Sequence, residues 1–80
     1  MEVLILSGED WQGLYINENL IDENHTLGEG GAITYLLEKS EEYNFTLKDV
    51  KTSYVTDDDE RYLSKFGSFP EELKELSGAY

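Results

Sequence analysis

Val3-Leu4-Ile5-Leu6 is a run of four consecutive apolar residues, two of them β-branched, set between Glu2 and Ser7. Apolar character without alternation suits a strand covered on both faces, and hence a central one. The chain must therefore build a sheet around residues 2–7 and find material to cover it. It has 80 residues for the purpose. That is enough for one domain, 1–80, with a thin core, because a chain of this size buries only about 60–65% of the surface its unfolded form exposes. Cysteine is absent, so no disulfide can reinforce that core, and the usage suits a reducing cytosol. The apolar run is far too short for a membrane span. It lacks the basic flank and cleavage site of a signal peptide, so a cytoplasmic location is expected.

The remaining elements follow from spacing. Ser7-Gly8-Glu9-Asp10 is a turn signal, and Gln12 to Asn17 reads as a second strand with Trp11 at the mouth of the hairpin. Asn17-Glu18-Asn19 makes a second tight turn, since Asn tolerates positive φ, and Leu20-Ile21 continues as a short third strand. Thr26 and Glu29 have capping-box spacing before a helix that starts near Gly30 or Gly31 and runs to about Tyr43. Its apolar face is read as Ile33, Leu36 and Leu37, with Glu38, Lys39, Glu41 and Glu42 opposite. Residues 49–55 form the last strand, with Val50, Thr52 and Tyr54 on one face and its orientation left open. Thr56 or Asp57 caps a second helix with Tyr62, Leu63 and Phe66 as its apolar edge, and Gly67 ends it. Ser68 and Glu71 resemble a capping box for a third, short helix burying Leu73 and Leu76, and residues 77–80 should fray. The fold expected is α+β: a three-stranded antiparallel meander, a helix, a fourth strand and two short helices, in the order β-β-β-α-β-α-α, with the helices on one face of the sheet.

Charge narrows the partner. Eighteen Asp and Glu stand against six Lys and Arg, a formal net of -12, beyond the magnitude of about 2–8 usual for a small domain. Apolar residues at 39% and aromatics at 12%, arranged in periodic blocks, argue for a folded domain with an acidic skin rather than for disorder. Six dispersed basic residues make no stripe for phosphates, so direct nucleic-acid binding is not expected.

Catalytic chemistry finds little support. The one histidine, His25, lies in a polar loop, and no serine sits on a nucleophile elbow. With so many acids, some carboxylate pair always meets glycosidase spacing, so that signal is empty. Asp57-Asp58-Asp59-Glu60 lacks the spacing and glycine of a calcium loop and suits helix capping. Gly28-Glu29-Gly30-Gly31 precedes a helix but has no lysine, and Glu29 repels an anion. No enzyme activity, metal or cofactor is expected.

Ser7-Gly8-Glu9-Asp10-Trp11-Gln12-Gly13-Leu14-Tyr15, followed by Leu20-Ile21 and on to His25, resembles a pattern in short uncharacterised bacterial and phage proteins. In those a hairpin carries G-[DE]-D-W-x-G-L-Y, followed by L-[IV]-x-E-x-H. The likeness covers about a quarter of the chain and carries no activity. It implies a cytosolic or phage-encoded accessory protein.

Acidity, small size and absent chemistry together suggest a non-enzymatic interaction protein. B-DNA presents a charge about every 1.7 Å of its axis, and dense carboxylates can occupy a groove built for it. The expected partner is a basic surface of a nucleic-acid-handling protein. The chain would then be an inhibitor, a DNA mimic or a phage anti-defence or anti-CRISPR protein acting in the host cytoplasm. Expected contacts are Trp11, Glu41, Glu42, Asp57, Asp58, Asp59, Glu60, Glu71, Glu72 and Glu75. Trp11 is equally readable as a lid on the core. The alternatives are a small self-associating regulatory domain, a homodimer with incidental acidity, and, more distantly, a site using Asp10 and His25 beside Trp11.

Overall fold

The computed structural model describes residues 1–28 and 31–80. It is an α+β domain: β1 (Val3–Ser7), β2 (Gln12–Ile16), β3 (Asn19–Asn24), α1 (Ala32–Tyr43), β4 (Val50–Tyr54) and α2 (Asp57–Phe66), with single 3₁₀ turns at Leu47–Asp49 and Leu73–Glu75. The sheet order is β3-β2-β1-β4. The first three strands form an antiparallel meander, whereas β4 runs parallel to β1, with Leu4 opposite Lys51 and Ile5 opposite Thr52. A parallel partner needs a crossover, and α1 supplies it.

The turn between β2 and β3 is Asn17-Glu18, both residues at positive φ (48° and 69°), as a two-residue hairpin loop requires. The register shift at Leu14/Tyr15 leaves Ile21 unpaired, a bulge that sets Ile21 and Asp22 both on the α1 side while Leu20 faces the other. The Thr56 hydroxyl accepts from the Asp59 N–H at 3.3 Å, and Gly67, in the left-handed region, closes α2 by donating to the Leu63 carbonyl. The expected partner of Thr26, Glu29, and the expected start at Gly30 lie outside the described residues.

β1 is central, and its side chains enter two cores. Val3 and Ile5 join Leu14, Ile16, Leu27, Phe45, Val50, Tyr35 and Tyr43 on the α1 side. Leu4 and Leu6 join Tyr15, Leu63, Phe69, Leu73 and Leu76 on the other. The helices therefore cover opposite faces, not one. A continuous apolar central strand demands this, since alternate residues need cover on both sides.

Three further expectations change. First, α1 docks through Tyr35 and Tyr43, eight residues apart, with Lys39 between them and its Nζ 5.6 and 5.8 Å from their ring centroids. Ile33 is 72% and Leu37 48% exposed. The docking stripe is thus turned from the Ile33/Leu37 line, because the two large tyrosine rings bury more area than Ile33 and Leu37 would. Second, residues 68–72 are not helical. Leu20 donates to the Glu71 carbonyl and Leu73 to the Glu18 carbonyl, and Asn19 bridges Glu72. The chain runs extended there along the edge of β3, which leaves only the turn at Leu73–Glu75. Third, residues 77–80 do not fray. They dock on Asp59 through Ser77, Gly78 and Tyr80.

Candidate functional site

The acidic residues collect where loops meet the α2 side of the sheet. The Gly8 N–H donates to the Trp11 carbonyl at 2.7 Å, which closes the loop between β1 and β2. The Glu9 N–H then donates to Oε2 of Glu60 at 2.9 Å, which ties that loop to α2. A cleft of about 190 Å³ results, lined by Glu9, Asp10, Trp11 and Glu60 with Leu63 and Ser68. Three acidic residues lining one cleft beside a tryptophan make a place suited by charge to a cationic side chain.

Trp11 is both core and wall. It packs against the Leu6/Tyr15 core and lines the cleft. Its Nε1 donates to Oε1 of Glu23 at 2.7 Å, and His25 meets its ring edge-on at 4.5 Å between centroids. His25 is exposed, with Nδ1 2.9 Å from the Asp10 carbonyl oxygen. That contact involves the backbone of Asp10, not its carboxylate, so it builds a loop rather than a catalytic dyad.

At the other end of this side, Glu18 and Glu72 approach across a shallow depression with Asn17, Asn19 and Lys74. Glu71 and Glu75 lie on the same segment and are exposed. Two exposed ion pairs, Arg61–Asp58 (2.7 Å) and Lys74–Glu72 (3.0 Å), and a half-buried one, Lys39–Glu42 (3.5 Å), occur among the described residues. Such pairs are weak and open readily to a competing cation.

The ten expected contact residues thus separate. Glu60, Glu71, Glu72, Glu75, Asp57, Asp58 and Trp11 belong to the α2 side or its rim. Glu41 and Glu42 are exposed on α1, across the sheet. Asp59 must be removed from the set. It is 2% exposed, and its carboxylate accepts from the Ser77 N–H (2.8 Å) and hydroxyl (2.9 Å), from the Gly78 N–H (2.9 Å) and from the Tyr80 hydroxyl. Burial alone would raise its pKa, but the bonds from Tyr80, Ser77 and Gly78 outweigh it and hold the carboxyl at about 2. Asp59 is a clasp for the C-terminal segment. The spacing Asp59, Tyr62, Leu63 places it on the side of α2 that meets the core, whereas Phe66, expected on that same edge, is 58% exposed.

Two other carboxylates escape sequence reasoning. Glu23 Oε1 accepts from Trp11 Nε1 and from the Phe69 N–H at 3.0 Å, joining three segments. Asp22 accepts from the Tyr35 hydroxyl. Both sit on β3, where an acid in a strand is itself the signal, since Asp and Glu are depleted there.

Among the described residues no group of three or more His, Asp or Glu is placed to hold a metal ion, and no helix is long and apolar enough to cross a membrane. No protein-family model matches the chain, and no curated protein or solved structure is significantly similar to it.

Proposed function

We propose that this chain is a non-enzymatic binding protein whose α2-side acidic face docks on a basic surface of a nucleic-acid-handling protein and inhibits it by occupying the place of the phosphate backbone. One observation carries the reading. The fold gathers Glu9 and Asp10, Glu60, Glu18, and Glu71 with Glu72, from four separate stretches of sequence, around the α2 side. Acids that served solubility alone would not need to gather in two clusters, one at each end of a single side. The cleft holding Trp11 accepts one cationic side chain, and its volume of about 190 Å³ falls below the roughly 300 Å³ at which small-molecule sites begin. The reading extends to a DNA mimic or anti-defence protein working in a host cytoplasm.

The test is capture from a lysate of the cells that make the protein, at low and then high salt, with an N-terminal tag so that the Tyr80 clasp stays intact. A basic nucleic-acid enzyme recovered at low salt and released as salt rises supports the reading, because exposed charge contacts are screened over about 10 Å at 0.1 M. Recovery that is unaffected by salt, or by Asp57→Lys with Asp58→Lys, would sink it.

A further inference from the structure

β4 is the last strand on its side of the sheet. Val55 donates its N–H to the Ser7 carbonyl of β1. Backbone groups alternate in direction along a strand, so Ser53 and Lys51 also turn theirs toward β1. Thr52 and Tyr54 then present N–H and C=O groups outward. Val50 presents its carbonyl, its N–H being held by Leu47. An open edge of this kind is a template for another strand, and proteins ordinarily blunt it with charge, proline or a bulge. Here Val50, Thr52 and Tyr54 turn their groups outward, with neither proline nor bulge on the strand and Lys51 as its one charge.

The charge of the segment singles out its occupant. Residues 43–56 hold Lys48, Lys51 and Asp49, a net of +1, in a chain whose total is -12. This strip is where two copies of an otherwise self-repelling protein can approach. Tyr54 stands 82% exposed on it. Beside it lies a groove of about 360 Å³ between α1 and β4, lined by Ile5, Leu27, Tyr35, Leu36, Thr52 and Tyr54.

We propose that β4 is a self-association edge, on which the β4 strand of a second copy pairs antiparallel about a two-fold axis at Thr52. The outward groups of the edge are compatible with this register. Thr52 of each copy exchanges both of its outward bonds with Thr52 of the other, and each Tyr54 N–H meets the Val50 carbonyl opposite. Tyr54 then lies across from Val50 on the α1 side, an aromatic and β-branched pair. Lys51 falls opposite Ser53 rather than opposite itself, and Lys48 comes level with Thr56, next to Asp57. The proposal concerns a different surface from the acidic face and does not rest on that reading.

Sedimentation of the pure protein over a concentration series, at about 0.05 and about 0.5 M salt, gives the first readout. The dimer fraction is expected to rise with salt, because salt screens repulsion between the acidic bodies and leaves the pairing intact. Capture of a basic partner has the opposite salt dependence, so the two readings fail separately. Thr52→Pro, which removes the central N–H, is expected to give a monomer with an unchanged circular dichroism spectrum. The chain has no cysteine, so Thr52→Cys introduces a single thiol. Hydrogen-bonded antiparallel partners place their Cα atoms about 5.5 Å apart, within disulfide range. Oxidation should therefore join two Thr52→Cys chains at least about tenfold faster than two Ser64→Cys chains. If Thr52→Pro fails to fold, the cysteine rates decide alone. A monomer at every salt, a dimer that survives Thr52→Pro, or equal cross-linking rates would each overturn the proposal. So would an edge that is protected only when a different protein's strand is bound.

Discussion

Tyr35 donates its hydroxyl hydrogen to Oδ2 of Asp22 at 2.7 Å, and this bond fastens the least buried helix of the fold to the edge of the sheet. None of the residues of α1 is fully buried, so its docking depends on a few contacts made by Tyr35 and Tyr43. Burial, and then the bond to Asp22, raises the Tyr35 hydroxyl above its usual range, so it stays protonated and donating at neutral pH.

Tyr35→Phe should lower stability by about 0.5–1.5 kcal/mol, the net value of one such bond. Hydrogen exchange should show the loss unevenly. Amides of α1 should exchange faster than those of β1 and β2, because local opening of the helix becomes easier. Equal acceleration throughout would mean that α1 is held by other contacts.

Asp59 makes stability depend on acid. Its pKa falls from 3.8 to about 2 on folding. A group depressed in the folded state stabilises above its unfolded pKa and loses that contribution as pH falls through the folded value. Asp59→Asn should cost about 2 kcal/mol at pH 7. The gap between variant and wild type should narrow between about pH 4 and pH 2, as urea unfolding at several pH values would show. A gap that stayed constant across that window would rule out the clasp as an ionised one.

Glu23→Ala removes one oxygen that two donors share, the Trp11 indole and the Phe69 amide. Leaving both without a partner should cost about 2–4 kcal/mol. Trp11 is the sole tryptophan, so its fluorescence reports the change directly. The emission should shift to the red as water reaches the ring, before global unfolding. Glu23→Gln keeps an acceptor and should recover part of the loss.

The sheet separates two acidic surfaces, and binding should tell them apart. Glu71→Lys with Asp57→Lys should weaken capture of a basic partner, whereas Glu41→Lys with Glu42→Lys on α1 should leave it near the wild-type level. The first pair costs roughly 1 kcal/mol of stability through the α2 dipole, which a melting curve checks. Equal losses from both pairs would assign the attraction to net charge rather than to a face.

β1, β2 and β4 were legible in the sequence, as were the Asn17-Glu18 turn and both ends of α2, because each follows from local chemistry. β3, in contrast, was expected only at Leu20-Ile21 and runs from Asn19 to Asn24, its acidic second half giving no strand signal. The Val3–Leu6 run already implied cover on both faces, and a one-sided helical layer contradicts it. Local patterns could not place the helices by side, since that depends on β4 entering beside β1 rather than beside β3. The α1 stripe differs from the one hydropathy suggests because Ile33 and Leu37 outrank tyrosine in hydropathy, while Tyr35 and Tyr43 outrank them in buried area. For the acidic face, residue identity gave the charge but not the convergence. Asp59 looked like its neighbours until Ser77, Gly78 and Tyr80, 18 to 21 residues further on, closed around it.

Every β1–β4 pair joins residues 47 positions apart, and this separation governs how the chain is born. Hairpins of β1, β2 and β3 can form as soon as residue 24 is made. The second edge of β1, the most apolar strand, must wait for residues 50–54, about 2–6 s later at ribosomal speed. During that interval the nascent meander offers an unpaired hydrophobic edge to any neighbour. The longer the crossover takes to close, the longer that edge stays open to mispairing.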